Sequence, residues 1–173
     1  MATSLYDLSV GSYLQTVGAA VGFLEKGATH CSANGIALDD VVATSLYPDM
    51  ANFHFQAVCV AHHSLGAIKA LQSGEFGPPA GYGELDYAGL QGLVSRTLQE
   101  LKGLNADAIN ALSGGQVIFK LGANQMPFTT ENFVLSFSLP NLYFHATTAY
   151  DILRMKGVPL GKRDFLGQMR MGV

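Results

Sequence analysis

Five histidines (His30, His54, His62, His63 and His145) and two cysteines (Cys31 and Cys59) are this chain's means of ligating a metal or moving a proton near neutral pH. A helical metal site sets donors three or four residues apart on one face and takes another from a second helix. His145 has no such companion, because Leu142 lies three positions before it and Ala149 four after. The polar residues on its face are Asn141 and Thr148, which hydrogen-bond an imidazole better than they ligate a transition metal. His145 therefore reads as a hydrogen-bonded histidine of the core or of a cavity. The aromatics Tyr143, Phe144 and Tyr150 around it form either plain core or the lining of a pocket. His62 and His63 are adjacent, so on a regular helix they point about 100° apart and do not share one metal. With His54, eight residues before His62, they read as solvated. His30 and Cys31 sit at a helix end and read as surface residues, and Cys59 reads as a buried inert thiol with no basic neighbour to lower its pKa. Asp39-Asp40 is a solvated or capping pair. No phosphate-binding glycine loop, nucleophile elbow or His-Glu-x-x-His is present.

Four amphipathic helices must position these residues. Leu5, Leu8, Tyr13, Val17, Val21 and Leu24 recur at helical spacing over 5–28. Gly18 and Gly22 share one face of that helix, either as a close-approach surface or as tolerated surface glycines. Ser32-Ala33-Asn34-Gly35 is an exit signal, and 38–45 reads as a short helix. Pro48 suits the first turn of a second helix running to Ser73, with Gly74 as its stop. The loop 74–83, GEFGPPAGYG, is too rich in Gly and Pro for regular structure. A third helix spans 84–102, and a helical turn follows at 105–112. Alternation over 117–121, the Gly122-Ala123-Asn124 turn and a return over 125–128 predict a small hairpin. Thr129 or Thr130 caps a fourth helix that ends at Gly157, and Pro140 kinks or restarts it. The fold class is therefore all-α: a four-helix bundle with a small β-hairpin before the last long helix, one domain over residues 1–173.

Hydrophobic residues make up 49% and charged residues only 13%, against roughly 25% charged in typical domains. So few charges leave apolar surface to bury, and a homodimer is expected. The net charge of −3 comes with no basic stripe, which argues against nucleic-acid binding. No run of 18 apolar residues exists, and the start MATSLYDLSVGSYLQ is not a signal peptide. The unpaired cysteines suit a cytoplasmic protein.

The segment FSLPNLYFHATTAYDILRMKGVPLGKRDFLG, the opening SLYDLSVGSYLQTVGAA and LYPDM at 46–50 resemble the DinB-like (YfiT-like) superfamily. The resemblance is closest to an uncharacterised bacterial branch of it, a domain-of-unknown-function family. It covers nearly the whole chain and is strongest at Asn141, Tyr143, His145, Thr148, Tyr150 and Gly161-Lys162-Arg163-Asp164. It implies a four-helix bundle, often dimeric. Metal-binding members use one histidine from helix two and a His-x-x-x-His pair on helix four, and some transfer thiol cofactors. Here only His145 fits the pair, because Ala149 takes the second position, and His54 is the nearest helix-two candidate. The expectation is thus a small-molecule site near the last helix, formed by His145, Asn141, Tyr143, Thr148 and His54, with no metal and no other cofactor. Two alternatives stand beside it: a divalent-metal-dependent thiol transferase, and a non-catalytic structural or stress-related dimer.

Overall fold

In the computed structural model, which describes residues 3–172, the chain is mostly helical with one small three-stranded sheet. The first helical stretch is α1 (Leu5–Leu8) followed by α2 (Val10–Ala33). Ser4 caps α1 in a reciprocal box with Asp7. Gly35, at φ 68°, turns the chain out of α2 in the left-handed region, and Cys31 before it is buried in the core, not at the surface as expected. After α3 (Leu38–Ala43), the second stretch begins at Phe53, later than Pro48 suggests. Asn52 caps it by accepting the N–H of Phe55, and Pro48 lies in the preceding turn. This stretch comprises α4 (Phe53–Ala61), a π-helical turn at His62–Gly66 and α5 (Ala67–Ser73). Gly74, at φ 78°, closes it.

The third stretch is α6 (Tyr87–Lys102), capped by Asp86, with the short α7 (Ala106–Asn110) behind it. The fourth is α8 (Thr130–Phe133), a second π-helical turn at Val134–Ser138 and α9 (Leu139–Met155). Thr129 caps α8. Pro140 lies two residues beyond the widened turn. Its ring would collide with the carbonyl four residues back, and the extra residue in the turn relieves that conflict without breaking the rod. A last short helix, α10 (Lys162–Leu166), returns onto α2.

The long stretches pack in a closed cycle, α2 on α6, α6 on α4, α4 on α9 and α9 on α2. Their inward stripes are buried: Tyr13, Val17, Phe23 and Leu24 from α2; Phe53, Ala57 and Val60 from α4; Tyr87, Leu90 and Val94 from α6; Leu142, Ala146 and Ile152 from α9. Each large side chain among them contributes roughly 1.5–3 kcal/mol by leaving water. The close approach lies at Gly27, not at Gly18 and Gly22. A Cβ on Gly27 would meet the Tyr87 hydroxyl and Leu153, whereas one on Gly22 would meet nothing within 4 Å.

The hairpin is β2 (Gln116–Leu121) against β3 (Asn124–Thr129), antiparallel, with Leu121 opposite Asn124. Pro127 is tolerated because β3 is an edge strand. The 74–83 loop departs from expectation. Its Glu75–Phe76 forms a third strand, β1, parallel to β2 with Phe76 beside Phe119. The Ile118 N–H donates to the Gly74 carbonyl at 2.9 Å and holds that register. The sheet thereby lays Phe76 and Phe119 against Phe137 of the fourth stretch, Phe119 at 4.7 Å between ring centroids. Among the described residues, no helix is long and apolar enough to cross a membrane.

Candidate functional site

His145 is 9% exposed, on the face of α9 that meets α4. Its Nδ1 lies 2.7 Å from Oε1 of Gln56, a residue only 2% exposed. The Gln56 Nε2 donates to the Ala51 carbonyl at 2.8 Å, which leaves Oε1 facing the imidazole as an acceptor. Nδ1 of His145 is thus the protonated nitrogen, and in the neutral ring Nε2 carries the free lone pair.

Three residues expected at the surface or in inert core lie around His145. His63 is buried, and its ring stacks on that of His145 at 5.4 Å with 10° between planes. His62 is buried too, donating from Nε2 to the Gly77 carbonyl at 2.8 Å and stacking on Phe76. The solvated reading of both fails because the π-helical turn places an extra residue on the inward arc, so neighbouring side chains both turn inside. Cys59 is buried one turn before His63. Its Sγ, one ring nitrogen of His63 and one of His145 all lie within 4.8 Å of one another. Among the described residues, Nδ1 of His63 is a fully buried polar atom with no hydrogen-bond partner.

The turn that carries His63 is held from behind. The Ser138 hydroxyl donates to the His63 carbonyl at 2.7 Å, so at 2.6 Å it accepts from the Tyr13 hydroxyl. Ser138 ends the second π-helical turn, and the Ser64 hydroxyl bonds the Val60 carbonyl at 2.6 Å. Each hydroxyl thereby ties a backbone carbonyl in or just before the first widened turn.

Burial discourages charge throughout this cluster. Desolvation pushes His63 down to about 3, and the neighbouring His62 and His145 add to the effect. Desolvation also lowers His145 to about 4 and raises the Cys59 thiol to about 12. Both rings are neutral at pH 7 and the thiol is protonated. Above them is a cleft of about 200 Å³ whose walls include Phe55, Phe119, Phe137 and the Gly77-Pro78-Pro79 segment. Phe55 and Phe144 also flank His145, each edge-on to its ring.

The other expected site residues are dispersed. Asn141 lines the cleft, but its Nδ2 donates to the Phe137 carbonyl. Thr148 is buried and bonds the Phe144 carbonyl, so neither holds the His145 ring. Tyr143 is 43% exposed and is not among the cleft's lining residues. His54 accepts the Leu85 N–H at 3.1 Å and lines a separate depression of about 190 Å³. Gln56 was not among the expected residues. Its signal was a lone amide within the apolar window of the second helix.

The family model "Domain of unknown function (DUF1993)" matches residues 5–166. No curated protein matches the chain. The solved structure of a DinB family member protein from Shewanella denitrificans superposes with a TM-score of 0.81 at 24% identity, covering 98% of this chain and 95% of that one.

Proposed function

This chain belongs to the DUF1993 family, a domain of unknown function, and from that premise we propose that it binds a small uncharged molecule in the cleft over His145. One observation carries the reading. His145 and His63, both neutral and the latter with a buried Nδ1 that has no hydrogen-bond partner, line an apolar cleft. A purely structural core would replace a buried group without a partner, which costs roughly 1–3 kcal/mol, by an apolar side chain. The volume of about 200 Å³ lies below the range of roughly 300–1,000 Å³ of drug-sized sites, so the ligand is fragment-sized. Aromatic walls select an apolar body, and neutral imidazoles select one hydrogen-bonding group and disfavour charge.

The likeness to the DinB family member supports the reading of residues 1–173 as one DinB-like four-helix bundle. A homodimer is supported by exposed Leu135, Tyr143 and Phe144 on the fourth stretch together with the 13% charged fraction. Sedimentation at micromolar concentration tests it, and a monomer there removes it. A cytoplasmic location is supported by two buried free thiols.

Titration with phenol, indole and benzamide, followed on the ¹⁵N-labelled imidazoles of His63 and His145, tests the binding. Saturable shifts in wild type that vanish in Phe137→Trp, which fills the cleft, are the expected result. Flat titrations with all three probes remove the reading.

A further inference from the structure

Four residues after His145, helix four carries the buried Ala149, which offers no donor. Donors from two helices nevertheless converge on His145. Helix two supplies two groups one turn apart, Cys59 and His63, and helix four supplies His145. The three donor atoms lie within 4.8 Å of one another, all buried. Ligands about 2.0–2.3 Å from a tetrahedral zinc are roughly 3.5 Å apart, so contraction by about an ångström closes the set. Two further features point to a ligand. Nδ1 of His63 is buried with no partner. His145 donates from Nδ1 to Gln56, which leaves its Nε2 lone pair free, and donation of the other ring N–H to an outer oxygen acceptor is how metal-bound histidines are normally oriented.

We infer that Cys59, His63 and His145 form a mixed sulfur–nitrogen site for one thiophilic closed-shell cation, Zn²⁺ or Cu⁺, with the sulfur of helix two standing in for the donor that helix four lacks. Thiolate favours both ions, and two imidazoles with one thiolate leave a zinc coordination position open. No redox change is involved. The Cys59 sulfur gives its proton to solvent as it forms the metal–sulfur bond, and the two imidazoles enter neutral. Each ion bound therefore releases one proton. Gln56 is a positioning residue that acts through His145.

The inference shares its cleft with the ligand reading above, and the two fail separately. Chelator-treated full-length protein is titrated with Zn²⁺ against a chromophoric competitor, with Cu⁺ anaerobically in the same format, and with Co²⁺ as a visible probe. The expected result is one equivalent of Zn²⁺ or Cu⁺ per chain, a raised melting temperature on loading, and a Co²⁺ spectrum with a sulfur-to-metal band. Cys59→Ser should abolish that band, and Gln56→Leu should weaken binding by about tenfold with Gln56→Glu restoring it. Melting of the metal-free variants confirms that they fold. Wild-type protein that takes up neither ion, or a Cys59→Ser variant that binds both as well as wild type, overturns the metal site. Probe binding that persists in that case leaves the ligand reading standing. One tight equivalent of metal without probe binding does the reverse.

Discussion

The Nδ1–H of His145 donates to Oε1 of Gln56 across 2.7 Å, and the two side chains belong to different long helices. Because Gln56 is itself fixed on the Ala51 carbonyl, the amide decides which imidazole nitrogen is free. Gln56→Leu should cost about 1–3 kcal/mol in denaturant unfolding, the price of a buried donor left alone. Gln56→Glu sets a carboxylate against the ring and should raise the His145 pKa from its present position near 4. An imidazole NMR titration that shows no upward movement in Gln56→Glu counts against this orientation.

Acid should destabilise the protein before its carboxylates titrate. His63 and His145 are depressed to about 3 and about 4 by burial, against 6.5 for a free ring. Below 6.5 the unfolded chain binds protons that the native rings refuse, so stability falls as pH falls. The loss continues until the native rings themselves titrate. The titratable groups facing His63 are His62, His145 and Cys59. Unfolding free energies at pH 7 and pH 5 should differ by on the order of 1 kcal/mol or more. His63→Phe should shrink that difference, and an unchanged one would argue against burial of the ring.

Glu131 anchors the turn before the hairpin. Its Oε1 accepts from the Ser113 hydroxyl at 2.5 Å and the Gly114 N–H at 2.9 Å. The Ser113 bond is the main reason that its pKa drops to about 2. The depressed value means stabilisation present above the ordinary carboxylate pKa of 4.5 and lost as pH falls through about 2. Solvent reaches this group, so Glu131→Gln should cost only about 1 kcal/mol at pH 7. Melting curves of the two proteins should converge toward pH 2.

The helices were legible from sequence because their apolar stripes repeat at helical spacing and their stops are glycines with positive φ, at Gly35, Gly74 and Gly157. His145 was also legible as a buried ring needing a polar partner. The partner was not, because Asn141 and Thr148 satisfy carbonyls of their own helix while Gln56 comes from 89 residues away. His62 and His63 were misplaced for a sharper reason. A projection at a constant angle per residue fails across a π-helical turn, and nothing local marks the extra residue. β1 was missed because two residues of strand exist only through their pairing with β2.

The glycines separate packing from propensity. The Tyr87 hydroxyl donates to the Leu24 carbonyl at 2.8 Å, passing over Gly27. Gly27→Ala should displace that hydroxyl and cost about 1–3 kcal/mol. Gly22→Ala meets nothing within 4 Å and should stabilise by up to about 1 kcal/mol through helix propensity. Opposite shifts in melting temperature are expected from these two methyl groups, and equal shifts would remove the close approach at Gly27.

Ser138 joins the two π-helical turns, and its removal should do more harm than that of its neighbour. Ser138→Ala strands both the His63 carbonyl and the Tyr13 hydroxyl, each buried, at a cost of about 2–4 kcal/mol. Tyr13→Phe removes a donor while Ser138 still serves His63, so about 1 kcal/mol is expected. In the double variant the Tyr13 hydroxyl is no longer left alone, so its loss should fall short of the two single losses added together. Because the His63 carbonyl lies in the same turn as its imidazole, Ser138→Ala should also shift the His63 ring resonances, while Tyr13→Phe leaves them nearly in place. Strictly additive losses with unmoved ring signals would show that Ser138 packs the core without positioning the site.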